Sequence, residues 1–291
     1  GSWLEKILSV TVTLMSLFNG GIYMAFYPEY VKRMNLLKDG STEEETNYKI
    51  NYLKQIIKND KVYKFIGLND TPDKNEQKIN TLLKGNIWFS QYKILNDQTE
   101  FQINYNARKI AKVIGCDEAY IRFIVDCMME IYDIYSLTYE YSPKMWKNYA
   151  SDGNGICIEY NIEDYDYLFP VEYVNKGEID FNNMLINALR GESLEFAILP
   201  WVIKNPYNET ASLNSTDEKE VRILFSPYDD KDINNGKVDA NIKEELSYKG
   251  ISKPYSEFGL SISKIIGNKC DAEIKNILTK RYGSKIVENL L

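Results

Sequence analysis

Glu218, Glu220 and Arg222 are the residues whose types and spacing could do chemistry. In the run EKEVRILF, residues 218–225, strand alternation puts the two carboxylates and the guanidinium on one face and Val221 and Ile223 on the other. Such a face can bind a cation, act as acid and base, or form a solvated ion pair, and by residue type alone the solvated pair is the commonest outcome. Lys64 is a second position of interest: it interrupts the apolar run of residues 62–66, where a lysine either reaches back to water or lines a pocket. A third is the stretch 84–101. There Gly85-Asn86 forms a turn, Ile87, Trp88 and Phe89 suit a buried strand ending in Ser90, and Asn96-Asp97 opens a polar loop of the kind that carries function. Trp146 and Tyr149, three apart on a short helix, share a face that could stack on a ring-bearing ligand or pack in a core.

Composition narrows the chemistry further. The chain of 291 residues has no histidine, which excludes Ser-His-Asp and Cys-His nucleophile systems, HExxH zinc sites and an imidazole base. Asp, Glu, Lys, Tyr or Cys must carry any acid–base step. Cys116, Cys127, Cys157 and Cys270 are scattered without metal-ligand spacing, which argues against zinc and fits a reduced, cytoplasmic setting. A net charge of -7 argues against broad nucleic-acid binding.

These residues need elements to position them. Residues 7–27 carry no charge, but their Ser and Thr content and Asn19-Gly20-Gly21 favour a hairpin or two buried elements and argue against membrane association. Helical spacing predicts helices over residues 41–57, 76–83, 107–116, 118–133, 143–150, 181–196 and 272–290. Alternation or short apolar runs predict strands over 62–66, 87–89, 134–138, 156–160, 169–174 and 218–225, a final strand at 260–266, and an acidic surface loop over 226–243. The fold class expected is α+β, with a mixed or antiparallel central sheet and flanking helices.

Five segments in order carry a resemblance: Tyr63-Lys64-Phe65; Ile87-Trp88-Phe89-Ser90 with Asn96-Asp97 and Glu100; Ser136-Leu137-Thr138 with Met145-Trp146 and Tyr149-Ala150; Gly155-Ile156-Cys157-Ile158; and Glu218-Lys219-Glu220-Val221-Arg222. A weaker sixth runs from Ile262 to Gly267. On these the chain resembles the prokaryotic domain-of-unknown-function 2971 family over residues 61–291, with residues 1–60 as an N-terminal extension. It departs from the family pattern at Gln98, where proline is usual, and at Asn214 and Val221, where aromatics are usual.

The resemblance implies a bacterial or phage-associated protein of defence or toxicity. Separately, Lys64 on an early strand, the aromatic strand with Trp88 that ends in Ser90 and Glu220 on a late strand form an arrangement similar to ADP-ribosyltransferases, although the usual early-strand histidine or arginine is absent. On that expectation Glu220 and Glu218 are catalytic in a transferase or glycohydrolase using a nucleotide, with NAD the candidate substrate. Tyr63, Lys64, Ser90, Asn96, Asp97, Trp146, Tyr149 and Arg222 then bind the ligand. A second enzyme reading gathers Asp97, Glu100, Glu218 and Glu220 around Mg2+ for phosphodiester cleavage. The non-catalytic alternative is a module for a small-molecule nucleotide or a protein partner, in which Asn96, Asp97, Trp146, Tyr149, Glu220 and Arg222 form a polar network or ligand pocket. A closed, self-satisfied network favours that module, and an open cleft with Glu220 free favours an enzyme.

Overall fold

The computed structural model describes residues 42–95, 100–175, 179–190, 200–208, 213–227, 248–269, 272–284 and 286–290. Asn96, Asp97, the uncharged stretch 7–27 and most of the acidic loop lie outside the described residues.

The first half runs α1 (Thr42–Ile56), β1 (Lys61–Gly67), α2 (Pro72–Leu83), β2 (Asn86–Gln91), α3 (Ala107–Ile114), α4 (Glu118–Met129), β3 (Asp133–Thr138), α5 (Pro143–Tyr149) and β4 (Gly155–Ile162). Then come β5 (Leu168–Pro170), β6 (Glu172–Tyr173), α6 (Phe181–Leu189), β7 (Ile203–Lys204), β8 (Tyr207–Asn208), β9 (Leu213–Asn214) and β10 (Glu220–Phe225). The chain closes with β11 (Gly250–Pro254), β12 (Leu260–Asn268), α7 (Ala272–Tyr282) and β13 (Val287–Leu290).

Local chemistry sets several of these boundaries. Asn106 caps α3 by accepting the Lys109 N–H, and Ser142 caps α5 by accepting that of Met145, with Pro143 opening the helix where no N–H partner is required. Helix α7 stops before Gly283, whose φ of 90° leaves the helical region.

The architecture is α+β, around a nine-stranded, mainly antiparallel sheet in the order β11-β2-β3-β1-β4-β12-β13, with β10 on β3 and β5 on β10. Within it β12 and β13 run parallel, joined by α7. Strand β3 has more partners than two full edges can hold. β10 pairs with it along its whole length, from Glu220↔Thr138 to Phe225↔Asp133. The remaining edge is shared: β2 meets it at Ile134 and Asp133, β1 only at Thr138. The two strands therefore fork away from the middle of β3.

Apolar residues pack on both sides of the sheet. One cluster joins α3, α4 and α6 with Phe169, Trp201 and Leu224, and the other joins α1, α2 and α7 with Val62, Tyr135, Ile158, Val221 and Ile223. A smaller group, Phe65, Met145, Trp146, Ala150, Cys157 and Ile266, lies under α5. Among the described residues no helix is long and apolar enough to cross a membrane.

Five predicted elements need correction. The helix over 181–196 ends at Leu189, and residues 191–199 lie outside the described residues. The strand over 169–174 is two strands in different sheets: β5 pairs with β10, whereas β6 pairs with β7. Pro170, with no N–H to continue a ladder, stands at the break. The helix over 118–133 ends at Met129, and β3 already begins at Asp133. The C-terminal helix ends at Tyr282, so β13 follows the strand expected to be last. Finally, residues 218–225 are not one strand. Ser215–Glu218 is a 3-10 turn, and Lys219, with φ 49°, separates it from β10.

Candidate functional site

Alternation along β10 turns Val221 and Ile223 to one side of the sheet and Glu220, Arg222 and Leu224 to the other. Arg222 is only 1% exposed, its guanidinium 5.4 Å from the Phe101 ring centroid. Burying a guanidinium is costly unless its N–H groups find acceptors. Here Nε donates to Glu220 Oε1 at 2.7 Å, Nη1 to the Trp201 carbonyl at 2.7 Å, and Nη2 to Glu100 Oε1.

Lys204, from β7, closes the other side. Its ammonium stands 2.6 Å from Glu218 Oε2, 3.2 Å from Glu220 Oε2 and 3.7 Å from Glu100 Oε2. The left-handed turn at Lys219 takes Glu218 out of the strand, yet its carboxylate still reaches this ammonium. Tyr149 donates its hydroxyl to Glu218 Oε1 at 2.5 Å, and Tyr173 accepts the Glu220 N–H at 3.1 Å. The result is a lattice of three carboxylates against two cations, and Glu220, at its centre, is 6% exposed. The solvated ion pair expected from residue types is thus a buried network. Its partners Glu100 and Lys204 come from segments more than a hundred and some sixteen residues away from β10.

The electrostatics follow from this packing. Burial raises the Glu220 pKa, Lys204 lowers it, Glu218 raises it, and the net direction is upward. For Lys204 burial works against the charge, but Glu220 and Glu218 outweigh it and hold the pKa above the ordinary lysine value. Burial, then the Glu218 charge, raise that of Tyr149.

Lys64 approaches from the opposite side. In β1 it shares a side with Val62 and Ile66, facing the Tyr135 side of β3. Its Nζ donates to the Ser136 carbonyl at 2.8 Å and lies 4.8 Å from the Tyr135 ring centroid. Burial lowers its pKa to about 8, with the Glu220 charge opposing the shift.

The other sequence-derived residues divide by neighbourhood. Tyr63 points away from Lys64, edge-on to Tyr141 at 5.6 Å. Trp146 is core: it packs edge-on to Phe65 at 5.2 Å and donates its indole N–H to the Tyr141 hydroxyl. Tyr149, on the same short helix, is 41% exposed as a residue while its hydroxyl enters the lattice. Ser90 is half-buried, opposite Ile134 and Gly250 in the sheet. Thus Glu218, Glu220, Arg222 and Tyr149 come together, Lys64 reaches β3, the strand beside β10, from the opposite side of the sheet, and Tyr63, Trp146 and Ser90 stand apart in other contacts.

Lys204, Tyr173 and the Trp201 carbonyl were not singled out from sequence. A signal for Lys204 existed, since it ends the apolar run Trp201-Val202-Ile203 much as Lys64 sits within its own. Among the described residues no group of three or more Asp, Glu or Cys is arranged to hold a metal ion. Comparison with family models, with curated proteins and with solved structures returned no match to this chain.

Proposed function

We propose that this chain is a non-catalytic binding module for a small-molecule nucleotide or a protein partner, working in the prokaryotic or phage defence setting that its resemblance to the domain-of-unknown-function 2971 family implies. One observation carries the reading: both oxygens of Glu220 are committed, Oε1 to Arg222 and Oε2 to Lys204. A carboxylate that stabilises an oxocarbenium-like centre or moves a proton must present an oxygen to the substrate. In this lattice Glu220 instead fixes two cations and, through them, β7 and β10.

The ADP-ribosyltransferase-like reading retains one observation in its favour, the fork beside β3 with the Lys64 amine electrostatically coupled to Glu220. The Mg2+ reading finds Glu100, Glu218 and Glu220 gathered on an ammonium.

Thermal unfolding with NAD and related nucleotides, with and without Mg2+, tests the choice on the wild type and Glu220→Gln. A binding module shows a nucleotide-dependent rise in melting temperature in both proteins, on a lower baseline in the variant, because a ligand selective for the native state stabilises it. Turnover of NAD by the wild type that disappears in Glu220→Gln overturns the non-catalytic reading.

A further inference from the structure

The cations around β3 differ in how fully their donors are used. Lys204 faces three carboxylates with three N–H groups. Arg222 is bound by Glu220, Glu100 and the Trp201 carbonyl. Lys64 gives one N–H to the Ser136 carbonyl and lays its charge against the Tyr135 ring, and among the described residues it has no ion pair. Two of its three donors are uncommitted in a setting that penalises an unpaired charge.

The topology parts two strands where those donors lie. β10 fills one edge of β3, whereas β1 and β2 touch the other only at its ends, so the Ser136 region of that edge faces the fork. The Lys64 side chain is partly buried along its length, and its amine reaches the Ser136 carbonyl on that edge. An oxyanion there would take both spare N–H groups and supply the missing counter-charge.

We propose that the fork between β1 and β2 binds the phosphate or carboxylate group of a small ligand through the Lys64 ammonium, which the Ser136 carbonyl and the Tyr135 ring hold in place. This deepens the binding-module reading and rests on it. The lattice on the other side of β3 sets a preference. Its carboxylates exceed its cations, and Glu220 is the charge coupled to Lys64, so an oxyanion of low net charge is favoured over a polyphosphate. The lowered amine pKa adds a pH signature, since the ammonium, and binding with it, is lost as pH rises through about 8.

Trace acetylation of amines on the full chain at pH 8, read by mass spectrometry, tests this with inorganic phosphate, acetate, AMP or adenosine present. Exposed Lys74 is the reference amine. The expected result is labelling of Lys64 that falls about fivefold relative to Lys74 at oxyanion concentrations a few times the dissociation constant, and is unchanged by adenosine. Stronger protection by AMP than by phosphate assigns the oxyanion to a nucleotide, and equal protection assigns it to a free anion. Labelling unaffected by every oxyanion, parallel loss at Lys74, or a Lys64 that never labels overturns the proposal. A phosphate-dependent rise in melting temperature, present in the wild type and absent in Lys64→Met, is the second readout, and its persistence in the variant also overturns it. A nucleotide-dependent rise without Lys64 protection removes the fork but keeps the binding module. Lys64 protection by phosphate without any nucleotide-dependent rise keeps the fork and removes the nucleotide.

Discussion

Arg222 shows what a single residue does when its charge is taken wholly out of water. Its contacts tie Glu100, Trp201 and Glu220 to one point, and removing it leaves two carboxylates facing each other without that cation. Arg222→Met is therefore expected to destabilise the fold by about 3–5 kcal/mol, because breaking a buried pair strands its partner. Urea unfolding of the variant checks this. A loss below about 1 kcal/mol would instead mean that the pair behaves like one in solvent. Little of this could be read from residues 218–225 in isolation. The alternation of Glu220 and Arg222 was visible, but whether a charged pair faces water depends on what covers it, and the covering groups come from residues 100, 173, 201 and 204.

At the scale of elements, patterns confined to a few neighbouring residues were legible and those depending on distant pairing were not. Strands β1, β2, β3, β4 and β12 follow from β-branched and aromatic runs, and α3 and α5 from helical spacing with nearby caps. The end of α7 was also written locally, in Gly283, but the apolar residues beyond it continue a helical spacing that β12 converts into a parallel strand. Gly155 shows the same division. It lies just before the strand expected over 156–160, whereas in the sheet it opens β4 opposite Gly67, where a Cβ would stand 2.2 Å from the Ile66 carbonyl oxygen. A backbone atom cannot yield as a side chain can, so Gly155→Ala should cost at least the ~1–3 kcal/mol typical of overpacking. Gly115→Ala is the comparison, since a Cβ there would meet nothing within 4 Å and only the strain of the positive φ remains. Thermal melts of the two variants separate the effects: collision predicts the larger fall for Gly155→Ala.

Across the whole molecule, the first described helix and the last strand share a core, since Leu53 and Ile57 of α1 belong to the same cluster as Leu278 and Val287. Within α1, Lys49 is fully buried, its amine donating to the Asp166 carbonyl and lying 4.4 Å from the Phe169 ring centroid. Burial lowers its pKa to about 7, against the opposing charges of Asp166 and Asp164. Below pH 7 the lysine is charged in both folded and unfolded chains, and the burial penalty is fully felt. Between pH 7 and the unfolded value of 10.5 only the unfolded chain holds the proton, so stability rises with pH, by up to about 1.4 kcal/mol per unit. Lys49→Met removes this contribution. The variant should be more stable than wild type at neutral pH, with the difference shrinking towards pH 10, as denaturant titrations across that range would show.

The pairing of β3 also has a consequence for how the chain is made. A chain emerging from the ribosome completes β3 well before β10, and the partner that fills one whole edge of β3 is not available until Phe225 has been synthesised. Strand β2 likewise waits for β11, which begins at Gly250. Through that interval two strands present unpaired backbone groups, the condition under which nascent chains associate with one another. Glu100 waits in the same way for Arg222, so a truncated translation product lacks both the missing strand and the cation that neutralises a carboxylate already made.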